Sequence, residues 1–273
     1  MFVLLFSVLG SIEIMKQRVA VRLGGAMQQT LLATLLAAGG SLVTVDSLIL
    51  ELWGTTPPNK VENALQAQVS RVRRTLAAVE PERQGSRVVT STSGYQFLFD
   101  RWELDAYVFL DTVDAIHARS GTDTLSDHRQ NITDLREGLS RWRGPVFGGL
   151  AGGPICRTAS TRYLEARNSA LILLYDLELR TGGHERILPE LTELYSRNPN
   201  HEQFCMLLMR ALYRSGRQLD ALTVYRQCRH NMIESQGIEP SPVLSQYERA
   251  ILTHDPMLLQ DEPYWPVPAL VAG

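Results

Sequence analysis

The chain is poor in cysteine and nearly without lysine. Its three cysteines, Cys156, Cys205 and Cys228, are isolated, odd in number and without metal-ligand spacing. That excludes a disulfide framework and the zinc patterns, and fits a reduced, cytoplasmic setting. Lys16 and Lys60 are its lysines, so 25 of its 27 basic residues are arginine, a mark of a GC-rich genome rather than of mechanism. None of the six histidines sits in an H-E-x-x-H pattern. The glycines at 148, 149, 152 and 153 are not followed by Gly-Lys-Ser/Thr, so they form no phosphate loop. No G-x-S-x-G and no Cys–His pairing stands out. Catalysis therefore has no residues to stand on, and neither metal nor cofactor is expected. No segment approaches about 20 uninterrupted apolar residues, which argues against a membrane span. The opening MFVLLFSVLG lacks a positive n-region and a small-residue cleavage site, and reads as a buried first strand rather than a leader.

Bulk charge of one sign is also absent. The formal net charge is −2, with 44% apolar and 21% charged residues, ordinary values for a globular protein long enough for two domains. The charge is uneven, however. Residues 1–100 hold 9 basic and 7 acidic side chains, a net of +2; the remainder holds 18 and 22, a net of −4. A nucleic-acid partner for the first part is permitted by this asymmetry.

Apolar runs at Phe6 to Ile14 and Val19 to Leu23, separated by Met15-Lys-Gln-Arg, predict a hairpin. A helix is expected over Ala26 to Ala38, with Leu31, Leu32, Leu35 and Leu36 as its buried stripe and Gly39-Gly40 as its stop. A second, Ser47 to Trp53, has Asp46 as candidate cap. A third runs from about Asn59 to Val79, with Asn59 and Glu62 in capping-box spacing. Val88 to Phe99 reads as a hairpin around Ser93-Gly94. Strands, three helices and a hairpin, in that order, predict an α+β winged helix-turn-helix over residues 1–100.

From Trp102 onward the pattern is helical, with loops expected at Ser120 to Arg129 and Gly144 to Pro154. Gly182 and Gly216 lie 34 residues apart; Leu174 then matches Leu208, and Leu188 matches Leu222. That period, with a glycine after the first helix, is the tetratricopeptide signature. Gly237 closes one helix and Ser241-Pro242 opens another. The fold class is therefore mainly α: a winged helix over 1–100, an all-α tetratricopeptide-like domain over 101–255, and a tail over 256–273 with four prolines.

On a helical wheel Val61, Leu65, Val69, Val72, Leu76 and Val79 share one arc, while Asn63, Ala67, Ser70 and Arg74 fall opposite. Gln66 and Arg73 flank one side, Lys60 and Arg71 the other. Amides suit adenine edges, a small residue suits a thymine methyl, and guanidiniums suit guanine or phosphate. The N-terminal half of a recognition helix enters the major groove. Asn63, Gln66, Ala67 and Ser70 are the expected base readers. Lys60, Arg71, Arg73, Arg74, Arg87, Thr90, Thr92 and Ser93 are the expected phosphate contacts.

Leu48-Ile-Leu-Glu-Leu-Trp-Gly, Asn63-Ala-Leu-Gln-Ala-Gln-Val-Ser-Arg-Val-Arg-Arg and Gly94-Tyr95 resemble the OmpR-type winged helix of the Streptomyces antibiotic regulatory proteins. Trp142-Arg-Gly-Pro, Ala211-Leu-Tyr-Arg-Ser-Gly-Arg-Gln, Asp220-Ala-Leu and Gly237-Ile-Glu-Pro-Ser-Pro are similar to their bacterial transcriptional activator domain. The resemblance covers about residues 6–253 and is to the small class, without an appended ATPase or phosphopeptide-binding region. It implies an activator of a secondary-metabolite gene cluster, cytoplasmic and nucleoid-associated. Such a protein binds direct repeats of double-stranded DNA near the −35 region, as a homodimer on DNA, and recruits RNA polymerase with its sigma factor. Met27-Gln28-Gln29 stands where relatives often carry Lys-Gln-Arg, and Thr90-Ser-Thr-Ser93 where the wing often carries a base. The second reading, a tetratricopeptide-like protein–protein adaptor with a degenerate winged helix, rests on that weakly basic wing and on the net charge of −2.

Overall fold

The computed structural model describes residues 4–17, 19–21, 23–119 and 124–259. The chain divides into two compact units. The first holds Met1–Asp114 together with Glu137–Arg167, the second Ala115–Arg136 together with Asn168–Gly273. That division differs from a single boundary at residue 100.

In the first unit the initial apolar runs form three strands rather than a hairpin. β1 (Leu4–Ser7), β2 (Glu13–Lys16) and β3 (Val19–Val21) make an antiparallel sheet in that order. The run from Phe6 to Ile14 folds back on itself, so that Phe6 pairs with Ile14. The reversal is fixed from outside: the Asp105 carboxylate accepts from the backbone N–H of Val8 (2.8 Å) and of Leu9 (3.3 Å). Its centre is Gly10, whose φ of 153° suits glycine.

Three helices follow. α1 (Ala26–Ala37) buries Leu31, Leu32, Leu35 and Leu36 as its leucine spacing requires. α2 (Val45–Trp53) is capped by Thr44, whose hydroxyl accepts from Ser47 N–H at 3.2 Å, and not by Asp46. Asp46 lies inside the first turn, where its charge still complements the helix dipole. α3 (Val61–Val79) lacks the Asn59–Glu62 capping box: Lys60 precedes it without a side-chain cap bond. The helix begins one residue later than that box needs, so Glu62 occupies its second position rather than its third.

β4 (Val43–Thr44), β5 (Val88–Ser91) and β6 (Gly94–Phe97) form a second sheet, order β4-β6-β5. The β5–β6 hairpin pairs Ser91 with Gly94, so its turn is Thr92-Ser93. Phe6 and Phe97 are both buried and meet edge to face at 5.2 Å, and α1 packs on β6 as well as on α2 and α3. α4 (Asp105–Arg119) and α5 (Leu125–Ser140) follow. The loop expected over Ser120 to Arg129 is thus helical from Leu125, and residues 120–123 lie outside the described ones. α6 (Pro154–Arg180) begins on the first unit. There the buried Glu51 carboxylate of α2 accepts from the N–H groups of Gly153 (2.8 Å) and Cys156 (3.4 Å), and also from Ile155. A carboxylate from one helix thereby serves the orphan donors of another. Beside it, burial pushes the Cys156 thiol up to about 12, so it stays protonated.

In the second unit α7 (His184–Arg197), α8 (Glu202–Arg214), α9 (Gln218–Gln236) and α10 (Pro242–Leu252) bury a continuous core, with α7 on α8 and α8 on α9. Gly182 and Gly216 are both left-handed (φ 79° and 74°), and α7 and α9 each start two residues later. The period of 34 is therefore structural: Leu174 and Leu208 are both buried, and Asp176 accepts from Arg210, also 34 residues on, at 2.9 Å. α9 ends on left-handed Gly237, and Ser241 caps α10 with Pro242 at its start. Of the expected tail, Pro256–Leu259 forms a short 3-10 turn; residues 260–273 lie outside the described ones. Among the described residues no helix is long and apolar enough to cross a membrane, and no group of His, Cys, Asp or Glu is placed to hold a metal ion.

Candidate nucleic-acid interface

α3 is built to show one face and hide the other. Leu65, Val69, Val72, Leu76 and Val79 are buried. Asn63, Gln66, Ala67, Ser70 and Arg74 are exposed along a single stripe, with Lys60 and Arg71 exposed beside it. Among the described residues the side chains of Asn63, Gln66, Ser70, Arg74, Lys60 and Arg71 make no hydrogen bond or ion pair. Seven of the twelve expected contact residues are thus brought together, six of them with side-chain polar groups unspent.

The other five are not alike. Thr92 and Ser93 form the exposed tip of the β5–β6 hairpin. Arg73 turns toward the hairpin instead of outward: its Nε and Nη2 donate to the Val88 carbonyl (3.0 and 2.8 Å), and Nη2 donates to Thr90 Oγ1 at 2.7 Å. Its guanidinium also lies 5.9 Å from the Tyr95 ring. Arg73 and Thr90 are therefore fasteners between helix and wing.

Arg87 is withdrawn altogether. It is 4% exposed. Nε and Nη2 donate to Glu80 (2.7 and 2.9 Å), Nη1 and Nη2 to Glu103 (2.9 and 2.7 Å), and Nη1 to the Leu98 carbonyl (3.1 Å). Burial opposes the charge, but the hydrogen bonds and charges of the two carboxylates more than compensate, so its pKa rises. The same hydrogen bond, from Arg87, holds Glu80 below the usual glutamate value against its own desolvation. The expectation that Arg87 grips phosphate is corrected: its donors are consumed inside the fold.

The wing is fixed from its other side too. A Cβ at Gly94 would stand 2.0 Å from the Val43 carbonyl oxygen, so only glycine lets β4 cross this close. Tyr95 is 7% exposed and belongs to the core. Two positioning residues escape a reading of single elements. Glu51 falls three residues after buried Leu48, on the covered side of α2, a signal that a buried carboxylate has found donors. Glu103 carries no such mark, because its partner Arg87 lies 16 residues away on another element.

Residues 22–97 match the family described as transcriptional regulatory protein, C terminal, and residues 104–252 the bacterial transcriptional activator domain. The chain is 36% identical to the transcriptional regulator RedD of Streptomyces coelicolor, over 87% of this chain and 69% of that one. It is 33% identical to the regulatory protein DnrI of Streptomyces peucetius, over 85% and 86%. Against the regulatory protein AfsR of Streptomyces coelicolor it is 34% identical over 93% of its own length but spans 25% of AfsR. Among solved structures, Mycobacterium tuberculosis EmbR in complex with a low-affinity phosphopeptide superposes with a TM-score of 0.83 at 26% identity, covering 94% of this chain and 66% of that one. With a winged helix whose polar stripe is free and a repeat domain matched along its length, the chain belongs to the Streptomyces antibiotic regulatory protein family and is a transcriptional regulator of that type.

Proposed function

We propose that the protein activates transcription of a secondary-metabolite gene cluster by laying α3 in the major groove. The observation that carries this reading is the exposed stripe of α3, whose amides, hydroxyl and guanidinium are unspent while the opposite face is buried. Asn63, Gln66, Ala67 and Ser70 read base edges; Lys60, Arg71 and Arg74 bind phosphate. Thr92 and Ser93 offer hydroxyls to the backbone at the hairpin tip, and Arg73 with Thr90 holds that tip against the helix. Residues 1–100 serve as the DNA-binding part and 101–255 as the activator part. Two copies bind direct repeats near the −35 region, and the helical repeats offer a surface to RNA polymerase and its sigma factor. The protein works in the cytoplasm at the nucleoid and performs no chemistry of its own.

A gel shift on DNA upstream of the neighbouring biosynthetic genes tests the reading. A sequence-preferring shift at low salt is expected; its absence leaves the adaptor reading in place. Gln66→Ala should alter preference at one base pair, by about 1–3 kcal/mol of discrimination. Arg74→Ala should weaken all sequences alike.

A further inference from the structure

A second feature of the first unit lies apart from the DNA-reading stripe. A cleft of about 420 Å³ opens between the β1–β2 sheet and the start of α4, a size that suits a small ligand. Its walls are mostly apolar: Leu5, Phe6, Met15, Val108 and the indole of Trp102. Two of these stay in water without need, Leu5 at 40% and Trp102 at 50% exposure. At its rim Gln17 holds a left-handed backbone (φ 51°), a strained conformation for a side chain other than glycine.

The cleft's charges differ in how far they are spent. Arg143 donates Nη1 to Glu13 (2.9 Å) and Nη2 to Asp105 (3.1 Å), and Asp105 also accepts the N–H groups of Val8 and Leu9. Those groups hold the β1–β2 turn and have little left to offer. Arg141 differs. Among the described residues its one ion pair is with Glu137, one turn back on α5, at 3.5 Å, and that carboxylate is 74% exposed, a weak and screened attraction. Its Nε–H is buried and has no acceptor, but the side chain as a whole is 35% exposed, so it is the outer end of the guanidinium, only loosely held by Glu137, that faces a ligand.

We propose that this cleft binds a planar aromatic acid, its ring against Trp102, Leu5 and Met15 and its anionic group taken by Arg141. An apolar trough gives such a ligand its affinity and one guanidinium gives it orientation. Stacking on an indole favours a flat body over an aliphatic one. The site is independent of the DNA-reading proposal and stands or falls without it.

The test uses the full chain and two probes of nearly the same shape: 8-anilinonaphthalene-1-sulfonate, which carries an anion, and N-phenyl-1-naphthylamine, which does not. Fluorescence titration should give saturable one-to-one binding of the sulfonate. Arg141→Gln should weaken the sulfonate about tenfold, the loss of one charged hydrogen bond, and leave the neutral probe unchanged. Trp102→Ala should weaken both. Leu5→Glu, at an exposed position that leaves the core intact, should also weaken the sulfonate and keeps the test valid should Arg141→Gln fail to fold. Binding that never saturates, or sulfonate affinity unchanged in Arg141→Gln and in Leu5→Glu, overturns the site.

Discussion

The α3 helix and the β5–β6 hairpin carry the same kinds of side chain and use them in opposite ways. On α3, Asn63, Gln66, Ser70 and Arg74 point outward and meet nothing. Around the hairpin, Arg87 is locked between Glu80 and Glu103, and Thr90 is taken by Arg73. The lesson is that counting basic residues near a wing does not measure its grip. What measures it is which donors remain after the fold has been satisfied, and on the hairpin those include, among the described residues, the exposed hydroxyls of Ser91, Thr92 and Ser93.

If that contrast is right, removing an arginine from each place must have different consequences. Arg87→Ala strands two carboxylates whose side chains are 13% and 7% exposed. Breaking a buried pair in this way costs about 3–5 kcal/mol. The melting temperature of the first unit should fall steeply, and DNA binding should be lost through unfolding. A variant that melts like the parent but binds DNA weakly would reverse the assignment and return Arg87 to the interface.

A smaller effect is expected where the hairpin meets β4. Gly94→Ala places a methyl 2.0 Å from the Val43 carbonyl oxygen. Backbone must move to admit it, at about 1–3 kcal/mol. A lowered denaturant midpoint is the expected result; an unchanged midpoint would show that the hairpin is not held by this approach.

The features legible in the sequence were those set by periodicity within one element. The buried stripe of α3 and the four leucines of α1 follow from helical spacing, and the 34-residue repeat from two glycines in equivalent turns. What escaped depended on partners far along the chain. Arg87 looked like a surface base because Glu80 and Glu103 sit on different elements. The first apolar run looked like one strand because the turn at Gly10 is held by Asp105, about a hundred residues on. Caps erred by one or two positions: Thr44 and Asp46 are both good cap formers, and spacing alone does not choose between them.

On the reading side the contrast predicts a shallow salt dependence. Lys60, Arg71 and Arg74 are the exposed α3 cations free of partners among the described residues. Were each to meet one phosphate, as proposed, every bound protomer would add about −3 to the slope of log K against log salt. Arg74→Ala should reduce that slope by about 1 while leaving the melting temperature unchanged. A parental slope near that of a ten-phosphate binder would mean that cations of the hairpin region reach DNA after all.

The finest probe of the contrast is pH. The hydrogen bond from Arg87 holds Glu80 below its ordinary value of 4.5, against a desolvation that works the other way. A carboxylate whose folded pKa is depressed binds its proton more readily when unfolded, so stability is gained as pH rises. The contribution is therefore complete above the ordinary glutamate value and disappears as pH falls through the lower, folded one. Glu80→Gln removes that titration while keeping the size of the side chain. The parent should be the more stable protein at neutral pH, and its advantage over Glu80→Gln should shrink from about pH 5 downward as the carboxylate takes up its proton. No such convergence is expected for a side chain of α3 that meets nothing. Melting curves of the two proteins that stay parallel from neutral pH to acid would mean that the Glu80–Arg87 contact does not hold the base of the wing.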